Sequence, residues 1–251
     1  MLFRSMKLNG LDYLNLSSLL NENECIVQQS TREFVDKEII PIIDEHFEAG
    51  TFPDKLIPKI ADMGFFGINL PKDEACGGMN NIIYGLVCQE IERGDSGIRS
   101  FISVQSSLVM YPIYAYGSDA QRHKWLPLLA SGKSIGCFGL TEPDHGSDPS
   151  GMQTVAKKAD GGYVLNGAKM WITNGTNADI AVVWAITDDR VVRGFLVEKG
   201  MKGFTSPEMK HKWSLLAIAG HCWPPPRRTK LAQKACINAI NVHKLHKLNR
   251  V

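Results

Sequence analysis

The chain has no Cys-x-x-Cys pair, no apolar run approaching the length of a membrane-spanning helix, and no Gly-x-Gly-x-x-Gly following a strand-like segment. The first absence removes the common zinc and dithiol frameworks. Cys25, Cys76, Cys88, Cys137, Cys222 and Cys236 have no metal-ligand spacing, which predicts reduced, mostly buried thiols suited to an intracellular compartment. The third absence leaves a Rossmann cofactor site without support. Acids are also absent from two stretches. Residues 221–251 hold seven Lys/Arg and no Asp or Glu, whereas the first 220 residues hold 21 basic and 26 acidic side chains. The net charge of +2 conceals this split, which predicts a polar tail under different constraints from the body. Met1–Lys7 is basic and free of acids, compatible with the remnant of a mitochondrial transit peptide or with an ordinary frayed terminus.

What is present suffices for a sizeable core: 251 residues at 44% hydrophobic content predict one or two domains. The first half reads helical. Asn21 and Glu24 have capping-box spacing, and Val27, Phe34, Val35 and Ile39 recur at helical intervals until Pro41, which is expected to end that helix or mark its last turn. A second helix is expected over Ile82–Ile91, stopping at Gly94. A third starts at Ser118, with Gln121 three residues on, and runs to Gly132. Beyond Gly132 the period shortens. Ser134–Thr141, Tyr163–Leu165, Ala168–Thr173, Ile180–Ile186 and Val191–Val197 read as strands, with Asn166-Gly167 as a type I′ hairpin signal. Helices followed by strands predict an α+β fold. After Gly220, the prolines Pro224, Pro225 and Pro226 cannot continue a strand.

Several separate motifs carry a family resemblance. Cys137-Phe138-Gly139-Leu140-Thr141-Glu142-Pro143, Gly146-Ser147-Asp148 and Trp171-Ile172-Thr173-Asn174 resemble the flavin-binding core of the acyl-CoA dehydrogenases. Glu92–Ser100, Ser103–Met110 and Arg193–Met201 are similar to the glutaryl-CoA dehydrogenase branch of that family. The resemblance implies an N-terminal helical domain over 21–133 after an extension over 1–20, then a flavin-binding middle β-domain over 134–220. It extends from about Asp12 to Gly220. The middle domain is therefore expected to be incomplete, the family's C-terminal four-helix domain to be absent, and 221–251 to form a divergent, disordered basic tail.

Dehydrogenation beside a thioester needs a base for the α-proton, a hydride acceptor and donors for the developing oxyanion. Side chains cannot accept hydride, so FAD is the implied cofactor. By resemblance, Phe138, Gly139, Leu140 and Thr141 lie along the flavin ring, with Glu142 and Pro143 continuing the motif. Trp171, Ile172 and Thr173 lie beside the ring. Gly146 and Ser147 lie near the phosphates and the acyl-CoA entrance. Core aromatics are the plain alternative for Phe138 and Trp171. Arg99 and Ser100 are expected to contact the free carboxylate of glutaryl-CoA, with Glu92 setting the local charge, and decarboxylation to crotonyl-CoA follows. A surface arginine after a glycine turn is the plain alternative for Arg99. The implied oxidant is electron-transfer flavoprotein, and the implied location is the mitochondrial matrix.

Asp144-His145 departs from the small polar pair usual before Gly-Ser-Asp; its extra charge and imidazole bear on diphosphate binding. No metal site is assigned to Glu142, Asp144, His145 and Asp148, and no nucleophilic pair to Ser147 and His145. No catalytic residue is assigned either, because the family's glutamate comes from its C-terminal domain. The chain is accordingly expected to lack turnover and not to form the family's tetramer. The alternative to an enzyme is a non-catalytic acyl-CoA- or flavin-binding isoform. A basic tail that binds nucleic acid or anionic lipid is a weaker third reading, and no nucleic-acid partner is expected.

Overall fold

A computed structural model of the protein describes residues 12 and 14–207. The basic N-terminal segment, the tail from His221, and Cys222 and Cys236 lie outside these residues. Helix α1 (Glu22–Phe34) starts at the expected capping box: the Asn21 side chain accepts from the Glu24 amide at 3.0 Å, and the Glu24 carboxylate accepts from the Asn21 amide at 2.9 Å. Pro41 does not end the helical path. A π-helical turn over Val35–Ile39 re-spaces the ladder, so that Pro41 falls in the first turn of α2 (Ile40–Ala49), where no amide hydrogen is required. Short α3 (Leu56–Asp62) precedes α4 (Asn81–Gly94), whose N-cap is Asn80. Asp95 ends α4 and caps α5 (Ser96–Ser103), its carboxylate accepting from the Ile98 amide at 2.7 Å. Arg99 therefore lies on a helix and not after a glycine turn. A second π-helical turn, Val104–Met110, leads into α6 (Tyr111–Tyr116). Helix α7 (Asp119–Ala130) opens with the expected capping box of Ser118 and Gln121.

The sheet contains β1 (Gly136–Gly139), β2 (Val155–Ala159), β3 (Gly162–Asn166), β4 (Ile180–Thr187) and β5 (Val192–Glu198). β5 pairs antiparallel with β4 along its length. The other edge of β4 is divided: β1 runs parallel to its first half and β2 parallel to its last residues. The period-2 pleat then separates two faces. Ile180, Val182 and Leu196 enter the helical core beside Phe52, Phe66 and Phe101, while Cys137, Ala181, Val183, Phe195 and Val197 form a smaller core behind the sheet.

Three expectations are corrected here. The hairpin turns at Asp160-Gly161, between β2 and β3, and not at Asn166-Gly167. Gly161 has φ 77°, whereas Gly167 is packed against Thr154, 2.3 Å from where a Cβ would stand. Residues 168–173 form an irregular turn and not a strand. Strand β2, unexpected because Val-Ala-Lys-Lys-Ala has no clean alternation, takes the hairpin partnership instead. Finally, only Cys137 among the described thiols is buried; Cys25 is exposed and Cys76 and Cys88 are half-buried.

Candidate functional site

β1 is placed by the helical layer. Gln105, on the second π-turn and fully buried, donates to the carbonyls of Leu129 (3.0 Å) and Ser134 (2.9 Å), and its Oε1 accepts from the Gly136 amide at 2.8 Å. The next two residues tie down other elements. Ser106 accepts from the Gly67 amide at 3.0 Å, and Ser107 shares a 2.8 Å hydrogen bond with Tyr84 of α4. Gly136 must be glycine here, since a Cβ would stand 2.4 Å from Val109.

The Gly136 amide meets Gln105 and its carbonyl accepts from the Asn174 side chain at 3.2 Å. That edge of β1 therefore faces away from β4. By the two-residue alternation of a strand, the Phe138 amide and carbonyl share it. Among the described residues, no side chain or loop amide bonds to them. The edge is closed at both ends. Asn174 holds Gly136, and beyond Phe138 the Lys169 ammonium donates to the Leu140 carbonyl at 2.9 Å while the Met170 amide donates to Thr141 at 2.8 Å. Trp171 follows directly, with φ 62° and 51% exposed. A free main-chain donor and acceptor beside a projecting indole suit a flat heterocycle with a polar edge.

The two flavin-like motifs thus meet in space. Ile172 and Thr173 are half-buried in the same turn, while Pro143, Gly146 and Ser147 lie on an exposed loop. Gly146 has open space around its Cα. Glu142 is placed differently from a ligand-facing group. It is 5% exposed, and its carboxylate accepts from Lys169 (2.8 Å), the Gln153 amide (2.6 Å) and the Thr154 amide (3.0 Å). Burial pushes this carboxyl up, but the hydrogen bonds from Lys169 and the Gln153–Thr154 segment outweigh it and hold the group below the usual carboxylate range.

A second cluster lies between α4 and α5. Arg99 Nε donates to Glu92, whose other oxygen accepts from Ser96 at 2.6 Å, and Arg99 Nη1 donates to Ser103 at 3.2 Å. The Ser103 hydroxyl also donates to the Ser100 carbonyl at 3.1 Å. The bond from Arg99, then that from Ser96, hold the Glu92 carboxyl below its ordinary range. Among the described residues, the end of the guanidinium, with both Nη2 hydrogens and one Nη1 hydrogen, has no hydrogen-bond partner. Tyr84, one helical turn before Cys88 and two before Glu92, continues this polar seam; its phenol is raised to about 12, mainly by burial.

Gln105, Lys169, Asn174 and Ser103 had no assigned role in the sequence reading. Asn174, Ser103 and Gln105 lie inside the quoted motifs and Lys169 does not, but nothing in the sequence distinguishes a buried lysine or glutamine from a solvated one.

Residues 21–133 match the acyl-CoA dehydrogenase N-terminal domain, and residues 137–223 match the acyl-CoA dehydrogenase middle domain. A crystal structure of a glutaryl-CoA dehydrogenase from Mycobacterium smegmatis in complex with FADH2 is similar, with a TM-score of 0.81 and 47% identity, over 84% of this chain and 54% of that one. The mitochondrial short-chain specific acyl-CoA dehydrogenase of Rattus norvegicus is 32% identical over 202 residues, 79% of this chain and 49% of the relative. An acyl-CoA dehydrogenase of Bacillus subtilis is 35% identical over 200 residues, 78% of this chain and 53% of the relative. The chain spans about half the length of the curated relatives it matches. With its helical layer and β-domain matched in order, and its two flavin-like motifs joined along one strand edge, the chain belongs to the acyl-CoA dehydrogenase family.

Proposed function

We propose that the protein binds FAD along the outer edge of β1 and serves the oxidative decarboxylation of glutaryl-CoA to crotonyl-CoA. Bound FAD supplies the hydride acceptor that no side chain provides. The chain's own part is to bind and orient. Phe138 offers its amide and carbonyl to the ring edge, Trp171 covers one side, and Thr141 and Thr173 offer hydroxyls without intramolecular bonds among the described residues. Ser147 and Gly146, on the open loop, serve the phosphates and the acyl-CoA entrance.

The observation that carries the substrate reading is the Arg99 cluster. Glu92 and Ser103 fix the guanidinium and leave its end free, which suits two parallel hydrogen bonds to the distal carboxylate of glutaryl-CoA, with Ser100 beside it. A butyryl tail has no anion for this group. The resemblance to short-chain relatives favours that substrate as the second reading, with the Arg99–Glu92 pair then purely structural. The reading as a non-catalytic acyl-CoA- or flavin-binding isoform shares these binding steps. Electron-transfer flavoprotein as oxidant and a mitochondrial matrix location follow from the same family reading.

Titration of the FAD-loaded chain with glutaryl-CoA and butyryl-CoA tests the proposal. Glutaryl-CoA is expected to bind more tightly. Arg99→Met should weaken glutaryl-CoA roughly 10–100-fold, as expected for a lost charge-assisted pair, and leave butyryl-CoA unchanged. Equal losses for both ligands would sink the carboxylate role.

A further inference from the structure

We infer that Lys169 is a positioning residue: with Glu142 and the Leu140 carbonyl as its anchors, it holds the Met170–Asn174 turn against β1 and presents Trp171 to the ring site. The inference rests on the FAD reading above but concerns groups that do not touch the ring. Lys169 is 1% exposed, and its ammonium reaches Glu142 at 2.8 Å and Leu140 O at 2.9 Å. Its stem lies over Gly139, where a Cβ would stand 3.3 Å from Lys169 Cγ. Three chain segments, 139–142, 152–154 and 169–170, therefore meet at one ammonium–carboxylate pair.

The turn that follows needs such an anchor. Trp171 and Asn174 are non-glycine residues with φ 62° and 65°, a region that costs L-residues energy and persists only where the surroundings fix it. Trp171 is exposed and makes no ring contact with another aromatic among the described residues, so its own packing does not fix it. The bonds on either side do: Lys169 and Met170 upstream, and the Asn174 side chain donating to the Gly136 carbonyl downstream. A buried ion pair is often no better a stabiliser than an apolar pair of the same size, so stability alone does not account for this one.

Two variants of the full chain separate placement from charge neutralisation. Lys169→Met leaves Glu142 buried without its cation. The double variant Glu142→Gln/Lys169→Met removes both charges and keeps an acceptor for one of the Gln153 and Thr154 amides. Hydrogen exchange at residues 170–175 and the near-ultraviolet circular dichroism of Trp171 (identified against Trp171→Phe) read the turn without cofactor. FAD titration reads the site. In both variants, exchange at the Met170 and Gly175 amides is expected to accelerate at least 10-fold, the Trp171 band to be lost and FAD to bind at least 10-fold more weakly. Exchange in residues 22–130 should remain unchanged. A double variant with wild-type exchange, Trp171 signal and FAD affinity would overturn the inference, because the pair would then only neutralise itself. Failure of the unmodified chain to bind FAD would count against the proposed function alone, since exchange at 170–175 still decides the role of Lys169.

Discussion

In the helical layer, rings fill space: Phe52 and Phe66 pack on Phe101 at centroid distances of 4.7 and 5.8 Å, and the capping side chains lie at the helix ends. Behind the sheet, Phe195 and Tyr163 are surrounded by smaller side chains such as Ala156, Ala181, Val183 and Ala185, and polar groups reach the interior through Lys169, Glu142 and Asn174. Two of its non-glycine residues in the left-handed region, Trp171 and Asn174, flank one turn at the ring site. In the helical layer several buried polar groups, Glu90 with Arg32 among them, join side chain to side chain or cap helices, whereas on the site side of the sheet they bond mainly to main-chain atoms. Burial tolerates imprecision of orientation, whereas a ring site needs donors aimed at fixed points. The two parts meet at Gln105, one of the buried polar groups of the helical layer, which sets where β1 begins.

The sharpest way to break this contrast is to empty the helical core. Phe101→Ala should cost about 3–5 kcal/mol, as large-to-small core changes do, measured as a fall in the urea midpoint. At the junction, Gln105→Met strands the buried Gly136 amide and two carbonyls. It should cost about 2–3 kcal/mol in the same measurement and shift the β1 amides in exchange experiments.

Acid addresses the sheet side. The Glu142 carboxyl is held below its ordinary value in the folded protein, so its contribution is complete above the unfolded value of about 4 and is lost as pH falls through the lowered one. Protection of the Gln153 and Thr154 amides, corrected for intrinsic exchange, should fall in that window, and Glu142→Gln should flatten the dependence. The smallest effect is expected where the conformation is least favourable. Trp171→Gly relieves a positive φ and loses little burial, so stability should stay within about 1 kcal/mol of wild type. FAD affinity should nevertheless fall. A large loss of stability in that variant would mean the indole packs where the structure leaves it exposed.

The sequence revealed elements whose signals are local. The Asn21/Glu24 and Ser118/Gln121 capping boxes, the stop of α4 at Gly94 and the apolar run of β4 are each written in a few neighbouring residues. Competition between equal local signals was not legible. Asn166-Gly167 and Asp160-Gly161 both suit a tight turn, and only the pairing of β2 with β3 selects the second. Nor were the π-turns, because their apolar spacing differs from that of an α-helix by one residue in a turn. For the site, the motifs marked Phe138 and Trp171 by resemblance. The contacts that unite them run through Gln105, Lys169 and Asn174, whose partners lie 27–38 residues away in sequence, or as near as 24 for one Gln105 bond.

The π-turn at Val104–Met110 has a consequence for how this segment can change over generations. Its wider ring is α-helix plus one residue, so removing any single residue there would let the ladder close in ordinary spacing. The deletion would rotate α6 by about 100° relative to α5, and placed before Gln105 it would take Gln105, Ser106 and Ser107 out of reach of Leu129, Ser134, Gly136, Gly67 and Tyr84 at once. Substitutions in this stretch are thus filtered one contact at a time, whereas a change of length is filtered by all of them together.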